Sequence, residues 1–288
     1  METVFFDYYH PYAGLCNQLY LITNHIAEAF VQGKQIYIHK FNIDIFKKER
    51  VPFSEVIDIK KTNENFIKFG CRPLLSETPP KIIGEIPELC IYPVSSIEIL
   101  SCLEFNENIV KNVKTIEHYG MHFRLDIDAI VHYLFETDVY NHFMGLEEKN
   151  EFIIKMISLP KVSKYIKYIM DQYIKFIYQI GFDKPWYICT SIGKENIHNV
   201  LLPFLYKITD IIRSNGGKLI DFEKNYPQRE LNALVELLTL RDSDAIVGFE
   251  GSSFSEGYCY KVNSIRNPGK RYLFVNGIVP KIKWNFQI

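Results

Sequence analysis

The chain has 288 residues, 47% of them hydrophobic, enough for one large α/β domain or two modest ones with buried cores. Lys plus Arg number 33 against 34 Asp plus Glu, a net charge of -1, which excludes broad electrostatic capture of nucleic acid or anionic membrane but allows a local basic pocket. Cys16, Cys71, Cys90, Cys102, Cys189 and Cys259 form no CxxC pair, which argues against zinc knuckles and thioredoxin-type chemistry and fits a reduced compartment.

In chain order, residues 4–9 predict a first strand running into a turn at 10–14. The opening METVFFDYYHPY lacks a basic n-region, so it does not read as a signal peptide, and no window has the apolar length of a membrane span. A helix is expected over 15–31, where Leu19, Ile22, Ile26 and Phe30 recur at helical spacing, with Gly33 closing it. A strand at 35–39 completes an order typical of α/β folds. Between 50 and 100, Pro52, Pro73, Pro79, Pro80, Pro87 and Pro93 predict loops with brief elements. A strand at 115–124 then delivers His122, Arg124, Asp126 and Asp128 at its end, where open α/β sheets bind ligands.

A helical stretch over 147–180, interrupted near Pro160, carries a packing stripe of Ile166, Ile169, Met170, Tyr173, Ile174 and Ile177. After Gly181 the pattern alternates: strand 186–190, helix 195–213, a Gly216 and Gly217 turn, strand 218–222, helix 228–240, strand 245–249, short helix 254–260 and strand 272–275. This predicts a parallel sheet with helical crossovers, two domains at 1–160 and 161–288, and a ligand cleft between the halves.

Three segments carry candidate chemistry. In PYAGLCNQLY, Gly14 would let the loop turn close to a ligand and Asn17 and Gln18 would present amides, although such residues at a loop-to-helix junction are commonly structural. The spacing is not GxGxxG, which weakens a dehydrogenase reading. In HYGMHFRLDID, His122 and Arg124 share one strand face, continued by Asp126 and Asp128 if the extended geometry persists. Arg124 can grip a diphosphate through charge-assisted bonds worth about 1.5 to 3 kcal/mol, or close an internal salt bridge with an aspartate. Asp126 and Asp128 also spell DxD, a pair that could hold Mg²⁺ or Mn²⁺. In DSDAIVGFEGSSFSEGYCY, a buried strand meets Gly251, Ser252, Ser253 and Ser255, whose amides and hydroxyls suit phosphates, with Phe254 packing or touching a base. Ordinary helix capping competes with that reading. Combined, the second and third segments would bind a nucleoside diphosphate without a P-loop, since no GxxxxGK[ST] is present.

The ordered set GLCNQL, HFRLDID and VGFEGSSFSEG resembles the fucosyltransferase superfamily, which includes protein O-fucosyltransferases and the α1,2- and α1,6-fucosyltransferases. The resemblance implies a GT-B-like α/β fold of two Rossmann-like halves, with an acceptor-side domain at 1–160 and a nucleotide-sugar domain at 161–288. It further implies an inverting, metal-independent glycosyltransferase that requires no cofactor. By the same resemblance, Gly14 and Asn17 match the loop that approaches sugar and diphosphate. Arg124, with His122 beside it, matches the arginine on the β-phosphate, and Ser252, Ser253, Phe254 and Ser255 match the nucleotide segment. Ala13 and Cys16 depart from the family's first loop, and nothing after Arg124 fixes the sugar or base. The donor therefore stands as GDP-fucose or UDP-xylose, and the acceptor as an oligosaccharide or a glycoprotein hydroxyl.

The expected mechanism is direct displacement at the anomeric carbon, with Arg124 and the amides around 252–255 neutralising the leaving diphosphate. Candidate catalytic residues are Arg124, Asn17 and Asp126, the last as general base ahead of Asp7 and Asp128. Competing classes are a nucleotide- or carbohydrate-binding module without turnover and a DxD metal centre. The missing signal and membrane span predict a cytoplasmic enzyme, in host cytoplasm if the source is a large virus.

Overall fold

A computed structural model of the chain describes residues 2–7, 14–80, 96–221 and 225–284. The expected strand end at 8–9, the turn at 10–13, Ala13, Pro87, Cys90, Pro93 and the strand end at 222 lie outside them. The strands are β1 Thr3–Phe6, β2 Gln35–Ile38, β3 Lys40–Asp44, β4 Glu49–Pro52, β5 Tyr119–His122, β6 Trp186–Cys189, β7 Leu219–Ile220, β8 Ala245–Phe249 and β9 Arg271–Val275. The helices are α1 Leu15–Val31, α2 Phe53–Val56, α3 Ile59–Lys68, α4 Ser96–Cys102, α5 Glu107–Val110, α6 Ile127–Leu134, α7 Thr137–Gly145, α8 Asn150–Ile157, α9 Pro160–Ile180, α10 Leu202–Ser214, α11 Arg229–Asp242 and α12 Lys261–Arg266. A 3₁₀ segment, Asn196–Leu201, leads into α10, and a π-helical segment, Ser253–Tyr260, leads into α12. No described helix is long and apolar enough to cross a membrane.

Two compact units divide the chain. The first comprises residues 1–115, 223–241 and 257–269, and the second 116–222, 242–256 and 270–288. The single boundary expected at 160/161 is thus corrected to a first crossing at 115/116 and four later ones. The reason lies in side-chain partners that sequence periodicity does not report. Arg266 of α12 donates to the carbonyls of Ser101 and Leu103, and Glu230 of α11 accepts the Leu15 amide, so these late helices belong with the early chain.

In the first unit β1 and β2 run parallel, and β3 and β4 form an antiparallel hairpin. Helix α1 buries Leu19, Ile22 and Ile26 of the stripe its spacing predicts, leaves Phe30 half-buried, and packs on α4. In the second unit five strands, all parallel, stand in the order β7, β6, β5, β8, β9. Every residue of β8 is buried, as a strand covered on both faces requires. Helix α9 starts with Pro160 at its first turn, buries Tyr165, Ile166, Ile169, Met170, Tyr173 and Ile177, and stops at Gly181, whose φ of 110° few other residues adopt. It packs on β8 and β9, and each large side chain it buries contributes about 1.5 to 3 kcal/mol.

Candidate functional site

The strand order of the second unit selects one place on its sheet. From β5 the chain builds outward through β6 to β7, then returns to lay β8 on the other side of β5. Helical connections diverge at such a switch point, leaving a crevice at the carboxyl ends of the two central strands. His122 ends β5 and Phe249 ends β8, so the second and third sequence segments emerge side by side there.

At the end of β5 the strand is shorter than expected, Tyr119–His122 in place of 115–124. The buried Tyr173 hydroxyl donates to the His122 carbonyl at 2.7 Å and accepts the Arg124 amide at 2.9 Å. This closes a turn, and the extended geometry that would have aligned Asp126 and Asp128 with His122 ends. Asp126 instead caps α6, accepting the Ala129 amide at 2.7 Å, with its carboxylate 4.0 Å from the Arg124 guanidinium. The Asp126 side chain is buried, whereas that of Arg124 is 31% exposed. Burial opposes the Arg124 charge, but Asp126 and Tyr133 outweigh it and raise its pKa. Burial, followed by Asp126, raises the Asp128 carboxyl.

Two residues here were missed by sequence reasoning. His198, buried in the 3₁₀ segment, accepts the Ile127 amide through Nδ1 at 3.3 Å, so it and Asp126 use two of the N-terminal amides of α6. Tyr133 lies close enough to Arg124 to feel its charge, and its hydroxyl lies 3.5 Å from where a Cβ on Gly251 would sit, linking the two strand ends. Neither belongs to a recognisable motif. Only their spacing from Asp126 on a helix face, or their polarity within apolar runs, could have flagged them.

At the end of β8 the chain turns through Gly251, whose φ of +76° favours glycine. The hydroxyl of Ser252 accepts the amides of Phe254 at 3.2 Å and Ser255 at 3.4 Å, an N-terminal cap for the π-helical segment. Ser255 is fully buried; its Oγ accepts the Phe249 amide at 2.9 Å and lies 3.1 Å from His122 Nδ1. Gly248 permits this approach, since a Cβ there would meet that of Ser255 at 3.1 Å and the Phe274 ring at 2.7 Å. The Gly251 amide donates to the Glu256 carboxylate at 2.6 Å. Ser253 is half-buried, and its amide and hydroxyl have no hydrogen-bond partner among the described residues. Phe254 packs on the His122 ring, with centroids 5.0 Å apart. Burial, then the Arg124 charge, pushes His122 down to about 3, so the imidazole is neutral.

Gly14 and Asn17 lie in the first unit. Gly14 has an extended backbone, φ -60° and ψ 167°, and a Cβ there would meet nothing within 4 Å, so neither conformation nor described packing requires glycine. Asn17 is exposed in the first turn of α1. Its neighbour Gln18 is buried and clasps the main chain of Asn42, accepting its amide at 3.2 Å and donating to its carbonyl at 3.4 Å. Glu230, raised by burial, accepts the Leu15 amide at 2.9 Å and pairs with Arg229.

Among the described residues no group of three or more His, Cys, Asp or Glu side chains is placed to hold a metal ion. Asp126 does not continue the strand face toward Asp128, because its Oδ1 caps α6. The described cysteines Cys16, Cys71, Cys102, Cys189 and Cys259 are free thiols.

No family model matches the chain, and no curated protein does. Among solved structures the chain is similar to POFUT1 in complex with GDP-fucose, at 12% identity and a TM-score of 0.56 over 96% of this chain and 98% of that one. A second crystal form of that complex gives 11% identity and a TM-score of 0.56 over 95% and 98%. POFUT1 in complex with GDP gives 13% identity and a TM-score of 0.53 over 95% and 98%. The likeness gives the chain the GT-B-like α/β fold of two Rossmann-like halves.

Proposed function

We propose that the chain binds a nucleotide sugar through its second unit and transfers the sugar, with inversion, to a hydroxyl of an oligosaccharide or glycoprotein. The observation that carries this reading is the juxtaposition of Arg124 and the Ser253 donors at the adjacent carboxyl ends of β5 and β8, the switch point of a parallel sheet. A half-buried guanidinium at the end of one strand and donors without a described partner at the end of the next meet the chemical need of a leaving diphosphate. The acceptor oxygen attacks the anomeric carbon as its bond to the diphosphate breaks, the diphosphate leaves with the electron pair, and the acceptor's proton is lost to water. Arg124 neutralises that charge without a metal. GDP-fucose is the first donor to test, because POFUT1 is solved with it, and UDP-xylose the second. The first unit is assigned to the acceptor side, and the setting is cytoplasmic.

Asp126 suits positioning of Arg124 better than proton abstraction, since its buried carboxylate already serves the Ala129 amide and faces the guanidinium. That same commitment favours a second reading, a nucleotide-binding module without turnover. A panel of GDP-fucose and UDP-xylose with glycan and peptide acceptors, run with and without EDTA, separates them. Release of nucleoside diphosphate that requires acceptor and survives EDTA is expected. Tight donor binding without release makes the protein a module, and absence of binding sinks both readings.

A further inference from the structure

The turn that carries Arg124 toward the crevice is bonded by a side chain from another element. Tyr173 projects from the middle of α9, is fully buried, and spends its hydroxyl on two main-chain groups, the His122 carbonyl at 2.7 Å and the Arg124 amide at 2.9 Å. The Arg124 amide also points at the His122 carbonyl, 3.0 Å away, so the turn is a tight one closed by the phenol. The ring is anchored edge-on against Phe123 at 4.9 Å between centroids, inside the turn. Burial, ahead of its neighbours, raises the Tyr173 phenol far above its ordinary range, which keeps it a neutral group able to donate and accept at once.

We infer that Tyr173 is a positioning residue for the diphosphate site, fixing the main-chain turn that aims Arg124, without touching the ligand. This rests on the reading that Arg124 meets a nucleoside diphosphate. A guanidinium reaches a phosphate from a defined direction only if its Cα is fixed, and an angular error at the turn is magnified along the long side chain. Removing the Tyr173 hydroxyl leaves the turn closed by the Arg124 amide to His122 carbonyl bond alone, so Arg124 would sample directions that miss the crevice.

The test is a binding cycle with GDP and UDP against GMP and UMP, for wild type, Tyr173→Phe, Arg124→Ala and the double variant. Tyr165→Phe serves as a control: it removes a buried hydroxyl of the same helix that donates to the Gly277 carbonyl. For whichever diphosphate binds, Tyr173→Phe is expected to weaken it about tenfold, while the monophosphate stays within about twofold. In the Arg124→Ala background the Tyr173 substitution should have no further effect, a non-additivity that a merely structural loss would not produce. Equal weakening of di- and monophosphate, an additive double variant, or the same loss in Tyr165→Phe overturns the inference. If Arg124→Ala binds diphosphate as wild type does, the premise fails and the inference with it; if Arg124→Ala is weakened and Tyr173→Phe is not, only the inference fails. Should Tyr173→Phe not fold, hydrogen exchange of wild type decides. Saturation with diphosphate must slow exchange of the Arg124 amide more than saturation with monophosphate, and equal rates overturn the inference.

Discussion

Alanine substitutions along the serine segment should split into two kinds, and Ser255→Ala is the informative extreme. Its hydroxyl is fully buried and serves the Phe249 amide at 2.9 Å and His122 Nδ1 at 3.1 Å. Removing it leaves both groups without a partner in a dry interior, at about 1 to 3 kcal/mol each with partial relief by relaxation, so a loss of about 2 to 4 kcal/mol is expected. Ser252→Ala removes a cap and should cost about 1 kcal/mol. Ser253→Ala touches no described partner and should leave stability within about 0.5 kcal/mol while weakening donor binding roughly two- to tenfold. Urea denaturation followed by far-ultraviolet circular dichroism reads the first quantity, and titration calorimetry with the donor reads the second. A Ser255→Ala protein as stable as wild type, or a Ser253→Ala protein that loses stability but not affinity, would refute this division of labour.

Arg124→Ala should reduce diphosphate affinity about 10- to 100-fold, the value of one or two charge-assisted bonds, with little change in monophosphate affinity; calorimetry checks it. Asp126→Asn keeps an oxygen for the Ala129 amide but removes the charge beside Arg124, so donor affinity should fall, with stability lowered by about 1 kcal/mol or less. Unchanged donor binding with turnover abolished would restore the general-base role. His122 is held at about 3, below its ordinary 6.5, so as pH falls the unfolded chain takes the proton first. Stability is therefore full above about 6.5 and is lost as pH falls from there toward 3. His122→Gln should flatten unfolding free energy between pH 6.5 and 4, and an unchanged slope would exclude this imidazole as the cause.

What was legible in the sequence is what periodicity and glycine report. Leu19, Ile22 and Ile26 placed α1, the apolar run at 245–249 placed β8, and the alternation after Gly181 announced the parallel sheet. The adjacency of Arg124 and Ser253 followed from strand order, since parallel strands connected by helices put loop residues at one sheet edge. The end of β5 was not legible, because a hydroxyl 49 residues away in the chain stops it. Nor was the partition into units, which depends on Arg266 and Glu230 finding early-chain partners. The serine cluster misled in a specific way: capping and phosphate binding use the same groups, and composition cannot say which hydroxyl is already taken.

Counting the donors in that cluster changes where the ligand's charge must be met. The Gly251 amide is held by Glu256, the Ser252 amide by the Phe249 carbonyl, and those of Phe254 and Ser255 by the Ser252 hydroxyl. The Glu256 amide returns to the Ser252 carbonyl. Among the described residues the Ser253 amide and hydroxyl and the Ser252 O–H remain, neutral donors beside the Glu256 carboxylate. On the proposed reading, neutral donors next to a carboxylate cannot offset a diphosphate, so the compensating charge would come from across the switch point, where Arg124 supplies a cation. A lysine in its place would supply the charge but not the planar pair of donors. It would also lose the fixed direction that the Tyr173 turn provides only in combination with a rigid guanidinium. On the proposed reading the serine segment would shape the site, and the arginine would supply the affinity.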